Sequence, residues 1–223
     1  MFKQKLFMLV LLFACVGVFG DRQGAQYNLD VAIVIRHFKG GRGGVEYIQD
    51  LKAQLLKQSR YPFYTCTDDA KGDLRPMVTE RTIKLLHTPD SALPSTWGDS
   101  PEHRRWKLAL TLDLFGCLLS AHARLNTKVI VYMEDDVLIK RGFDDALSAF
   151  AADDDDIRWG WPETGALCIM LKRSVIPRMY ALSESRWMHD PADWIILETM
   201  KPRIRLNVVS HQGRKSTAHW KKG

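Results

Sequence analysis

Three short stretches, Asp30 to Ile35 (DVAIVI), Lys128 to Met133 (KVIVYM) and Ala166 to Leu171 (ALCIML), constrain this chain most. Each is apolar at successive positions, without the polar alternation of a strand that faces water on one side. Such strands are buried on both faces and belong to a mainly parallel sheet with helices above and below. The stretches between them support this. Val45 to Lys57 carries Tyr47, Leu51 and Leu55 on one helical stripe. Ser100-Pro101-Glu102 is a helix start, with Ser100 as cap and Pro101 at the first position, and the helix runs to about Arg124. That helix is apolar on two faces, so it too is expected to be buried against the sheet. Tyr61 to Thr67 reads as a further strand, and Ala70 to Ser100 as mostly loop. Phe143 to Phe150 is amphipathic. Ser174 to Leu182 and Pro191 to Met200 read as helices, and Ile204 to Val209 as the last strand. The expected fold class is α/β, a Rossmann-like domain whose mainly parallel mixed sheet is covered on both faces.

The N-terminus is a different kind of segment. Lys3 and Lys5 precede an unbroken apolar run from Leu6 to Phe19, with Val18 and Gly20 small at the end. Fourteen residues suit a secretory signal better than a membrane span, which needs about 20. Residues 1–20 are expected to be a signal peptide or short signal anchor, so that the chain is either secreted after cleavage or held at a membrane by this segment. Residues 21–223 are expected to form the working domain in the secretory lumen. Cys66, Cys117 and Cys168 lie in that domain. One disulfide plus one buried thiol is possible, but three separated cysteines are not a disulfide framework. The net charge of +6 favours anionic partners. No zinc-finger, helix-turn-helix or RNA-binding signature accompanies it, so nucleic acid is not expected as a partner.

Three features carry candidate chemistry. Glu134-Asp135-Asp136 follows the strand KVIVYM directly. Ligands of open α/β sheets bind beyond the carboxyl ends of the strands. Three carboxylates there repel one another unless a divalent cation or water compensates them, and hard oxygen ligands suit Mg²⁺ or Mn²⁺. His211 stands at the end of the last strand, where it is either a surface or core histidine, as a lone one usually is, or a neutral imidazole that completes a metal site. Asp193, in Asp190-Pro191-Ala192-Asp193-Trp194, stands at a helix start as either a capping carboxylate or a general base. The run Asp153 to Asp156 reads as a solvated loop or helix end.

Taken in this order, VIVYMEDDVL (129–138), PADWII (191–196) and IRLNVVSHQGRKST (204–217) resemble a family. They are similar to GT-A glycosyltransferases of the N-acetylglucosaminyltransferase IV type, and to the related transferase that adds N-acetylgalactosamine to GPI glycans. LDLFGCLLSA (112–121) resembles the family's helix before the acidic motif, and VAIVIRHFKGG (31–41) its first strand and loop. The resemblance implies metal-dependent, inverting transfer of an N-acetylhexosamine from a UDP-sugar to a glycan, glycoprotein or GPI-type acceptor, in the Golgi. It implies Mn²⁺ or Mg²⁺ on Asp136 and His211, with Glu134 and Asp135 beside the donor and Asp193 as catalytic base. Arg36, Arg214 and Lys215 are candidates for the diphosphate. Asp68, Asp69 and Asp113 are candidates for the uridine, and Gly165 for close backbone approach to the sugar. Two other readings compete. One is a galactosyltransferase of another acidic-motif family. The other is a secreted, non-catalytic glycan-binding domain.

Overall fold

The computed structural model describes residues 30–37, 44–68, 72–94, 100–160, 167–200 and 204–212. The elements run β1 (Val31–Arg36), α1 (Gly44–Gln58), β2 (Phe63–Cys66), α2 (Glu80–His87), α3 (Pro101–Arg124), β3 (Val129–Glu134), β4 (Val137–Ile139), α4 (Phe143–Ala152), β5 (Ile157–Trp159), β6 (Cys168–Lys172), α5 (Ile176–Leu182), α6 (Ala192–Met200) and β7 (Val209–His211). The main sheet has the order β2-β1-β3-β6-β5. β1 pairs in parallel with β2 and β3, while β6 is antiparallel to both β3 and β5. Every strand but β6 therefore points the same way, which is the mainly parallel mixed sheet that the apolar strands predict.

The continuous apolar strands have their physical explanation in two separate cores. Val34, Ile130, Tyr132, Ile169 and Leu171 pack on one face with α3, α5 and α6. Val31, Ile33, Ile35, Val129, Val131, Met133 and Met170 pack on the other with α1 and α4. Alternate residues of each strand thus feed opposite cores, so no position is left for a polar side chain. α3 starts where its signals place it: the Ser100 hydroxyl accepts from the His103 amide, and Pro101 occupies the first turn.

Three expectations are corrected. The stretch from 70 to 100, read as mostly loop, contains a helix, α2. The Thr79 and Thr82 hydroxyls each accept the other residue's amide, a reciprocal cap that starts the helix. Leu85 packs into the α3 core, and the buried Arg81 reaches Ser183 Oγ, the Tyr180 carbonyl and Glu184. The last strand is not Ile204 to Val209. Arg205 makes only an isolated bridge to Trp159, and β7 pairs outside the main sheet, antiparallel to β4. Strands β4 and β5 were also not expected, because three-residue strands carry too little periodicity to read.

Cys66 at the end of β2 is disulfide-bonded to Cys117 in α3, with Cα atoms 6.0 Å apart, and Cys168 is a buried thiol in β6. Among the described residues no helix is long and apolar enough to cross a membrane. The expected signal segment 1–20 lies outside the described residues.

Candidate active site

The carboxyl ends of β1, β2 and β3 meet at one edge of the sheet, and every candidate site residue from these strands gathers there. Arg36 is the last residue of β1 and lies in register with Glu134, the last residue of β3. The next residue on each strand is His37 and Asp135, and these touch, His37 Nδ1 to Asp135 Oδ2 at 2.7 Å. Arg36 reaches to the helix side, where its guanidinium stands 3.7 Å from Asp113 Oδ2 on α3.

Just past β3 the chain turns into β4, and β4 recruits the C-terminal strand. Val137 pairs with His211, and the Gln212 amide donates to the Asp136 carbonyl at 2.7 Å. This pairing brings His211 Nε2 to 3.0 Å from Asp136 Oδ2. Residues far apart in sequence are thus held side by side by backbone hydrogen bonds, not by their side chains alone. β4 is in turn seated on α1, whose Gln54 side-chain Oε1 accepts the Ile139 amide at 2.9 Å.

The electrostatics of this corner are unbalanced. Burial pushes the Glu134 carboxyl up to about 7, against the pull of Arg36, and Asp136 adds to the rise. Burial also raises Asp135, partly offset by its bond from His37. Asp113 is pushed up to about 6 by burial, with Arg36 opposing. The Asp136 side chain is only 16% exposed. Its Oδ1 is buried and has no hydrogen-bond partner among the described residues. A buried, unanswered carboxylate oxygen beside an imidazole nitrogen is the donor set of a divalent cation. The residues present therefore fit the Mn²⁺ or Mg²⁺ of the sequence reading, although among the described residues no group of three ligating side chains surrounds one point.

Beside this corner a cleft of about 280 Å³ opens between β1, β2 and α3. Arg36, His37, Thr67, Asp68 and Asp113 line it, and the disulfide partners Cys66 and Cys117 contribute to its wall. Arg36, Asp68 and Asp113 are thus gathered in one cavity. Asp193 is placed elsewhere, in the first turn of α6, a helix that packs on α3 and α5. Among the described residues no hydrogen bond or ion pair joins it to the acidic corner. Burial raises its carboxyl, and the amides of Trp194 and of Asp193 itself pull it back. Asp69, Gly165, Arg214 and Lys215 lie outside the described residues.

Two groups of lining residues escape the sequence reading. His37 is hidden at the head of a glycine-rich loop, and only the strand register of β1 against β3 signals its place beside Asp135. Arg75, Pro76, Met77, Val78 and Thr82 also line the cleft, and they belong to the stretch read as loop.

No family model matches the chain. Two curated relatives carry the name alpha-1,3-mannosyl-glycoprotein 4-beta-N-acetylglucosaminyltransferase A. The Pongo abelii protein is 24% identical over 185 residues, covering 79% of this chain and 31% of that protein. The Bos taurus protein is 24% identical over 128 residues, covering 53% and 24%. The chain thus spans a quarter to a third of the length of these relatives. The crystal structure of a glycosyltransferase involved in glycosylation of the major capsid of PBCV-1 aligns with a TM-score of 0.46 and 12% identity, over 84% of this chain and 95% of that one. The sequence relatives of this chain are glycosyltransferases of the N-acetylglucosaminyltransferase IV type.

Proposed function

We propose that this chain is a glycosyltransferase domain that transfers an N-acetylhexosamine, GlcNAc or GalNAc, from a UDP-sugar to a glycan or glycolipid acceptor with inversion. One observation carries the reading. β4 and β7 hold His211 Nε2 3.0 Å from an Asp136 carboxylate whose other oxygen is buried and unanswered. The similarity to N-acetylglucosaminyltransferases supports the choice of sugar.

Asp136 and His211 would hold Mn²⁺ or Mg²⁺, and the ion when bound would offset the charge that develops on the departing diphosphate. The remaining roles belong to the chain itself. Arg36 supplies a buried positive charge at the strand ends. Glu134 and Asp135 accept hydrogen bonds from donor hydroxyls, with His37 fixing the Asp135 rotamer. Asp68 and Asp113 face the nucleoside in the cleft. Asp193 takes the proton of the acceptor hydroxyl as that oxygen attacks the anomeric carbon and the bond to the diphosphate breaks. Its partial burial raises its proton affinity and so suits it to that task.

The Cys66–Cys117 disulfide supports an oxidising, secretory compartment, and the Golgi location and N-terminal membrane attachment are part of the same reading. The test is direct. The purified chain is incubated with UDP-GlcNAc, UDP-GalNAc or UDP-galactose, a glycan acceptor, and Mn²⁺ or EDTA. Mn²⁺-dependent UDP release is expected. Asp193→Asn is expected to bind UDP normally and to lose roughly 10²–10⁴-fold in transfer, the usual contribution of a general base. Full transfer by Asp193→Asn would remove the base from the scheme, and release of UDP from none of the donors would remove the scheme.

A further inference from the structure

We propose that the strip Arg75–Val78 is the base-selecting wall of the cleft, a surface on which a pyrimidine ring stacks and against which a purine is too large. This rests on the nucleotide-sugar reading above and names residues that the acidic motif does not.

The strip is held rigidly at both ends. On one side it prolongs the edge of the sheet. Leu74 bridges to Cys66 in parallel, its amide donates to the Thr65 carbonyl at 3.0 Å, and its carbonyl accepts the Thr67 amide at 3.1 Å. Asp73 Oδ2 accepts the Thr65 amide at 2.7 Å. On the other side the Thr79–Thr82 cap turns the chain into α2. Between these anchors it is seated on α3 by Gly116. The Met77 amide donates to the Gly116 carbonyl at 2.9 Å. A Cβ on Gly116 would lie 2.9 Å from the Met77 carbonyl oxygen and 3.1 Å from Pro76 Cβ. Only glycine lets the strip approach α3 this closely.

Gly116 neighbours Cys117, whose disulfide draws the end of β2 to the same turn of α3, and Asp113 lies one turn earlier. The strip, Asp113 and Asp68 are therefore fixed relative to one another around one cavity. The surface that the strip offers is only partly polar. Met77 is 41% exposed and Val78 68%, and Arg75 lies with them in the lining. The backbone of a segment this well anchored has little freedom left to lose when a ring covers its apolar side chains. A guanidinium plane also stacks on nucleobases. Asp68 and Asp113 supply acceptors, which match a ring N–H and ribose hydroxyls. The cleft, of about 280 Å³, is at the small end of ligand sites, and the proposal assigns it the nucleoside end.

Calorimetric titration of the full chain with uridine, UDP and ADP in Mn²⁺ tests this. Wild type is expected to prefer UDP to ADP. Arg75 is exposed, so Arg75→Ala should fold normally, and it is expected to weaken uridine and UDP by the same factor, about fivefold to tenfold, as loss of one stacking partner does. Gly116→Ala, which moves the strip, is expected to weaken both by about tenfold or more and to erode the preference over ADP; far-UV circular dichroism checks its fold. If wild type binds UDP but both variants keep wild-type uridine affinity and selectivity, the strip is not the wall. Loss of UDP affinity alone in Arg75→Ala would place that arginine on phosphate and overturn the stacking role. Absence of UDP binding by wild type would instead overturn the nucleotide-sugar reading itself.

Discussion

Two acid-rich segments of this chain have similar composition and opposite fates. Asp153 to Asp156, at the end of α4, is answered by cations at nearly every step. Arg158 pairs with Asp153 and Asp155, and Arg178 with Asp156 at 2.7 Å. Lys172 Nζ donates to the carbonyls of Phe150, Ala151 and Asp153 and closes the helix end. Among the described residues, Glu134 to Asp136, at the end of β3, meets two imidazoles and the guanidinium that Arg36 shares with Asp113, and Asp136 keeps a buried oxygen with no partner. The first arrangement is complete within the protein and holds its shape. Among the described residues the second leaves a carboxylate oxygen unanswered, which is where the proposed cation would sit. Carboxylates count as a site when the fold buries them without answering them.

The sharpest way to break this contrast is to remove one carboxylate from each segment. Asp136→Ala is expected to reduce Mn²⁺-dependent UDP binding by more than the roughly 10–100-fold that supporting residues around metal sites cost. Asp154→Ala, at an exposed position, is expected to leave both binding and stability unchanged. Equal effects of the two would erase the distinction. A smaller effect is expected from Arg158→Ala. Arg158 is 14% exposed and serves two aspartates, so its loss should cost about 1–3 kcal/mol in denaturant unfolding, with UDP affinity intact. A change in UDP affinity would show that the structural segment reaches the site.

The smallest expected effect sharpens the comparison through pH. Burial lifts Asp113 from 3.8 to about 6 in the folded chain. The folded state therefore holds this proton more tightly than the unfolded state. The contribution to stability is fully present below pH 3.8 and is lost as pH rises through about 6. Asp113→Asn lacks this loss. The difference in unfolding free energy between variant and wild type is expected to move in the variant's favour by about 1 kcal/mol between pH 4 and pH 7, a value reduced for solvent screening of a partly exposed group. A pH-independent difference would mean that Arg36 already neutralises Asp113.

Legibility in the sequence followed the range of the interactions. β1, β3 and α3 were readable because their signals are local: β-branched apolar runs, a serine cap, a proline in the first turn. α2 was missed because a Thr-x-x-Thr cap is a weaker start signal than Ser-Pro-Glu, and its neighbours read as turn residues. β7 was misplaced because pairing with β4 is a long-range event that a three-residue strand does not announce.

The same division holds for the site. An apolar, β-branched run followed by three carboxylates, and a histidine just beyond the expected last strand, are legible in the sequence. It also determined that Cys66 and Cys117 are available for bonding, without choosing them over Cys168. Only the tertiary structure decided that Asp136 and His211 are neighbours, through the β4–β7 ladder, and that His37 holds Asp135, through the register of β1 on β3. It also decided that the residues after β2 return along its edge to wall the cleft. Burial patterns are written in the spacing of neighbouring residues. Contacts between distant residues depend on which strands find each other, and that is settled by hydrogen-bond pairing and packing over the whole sheet.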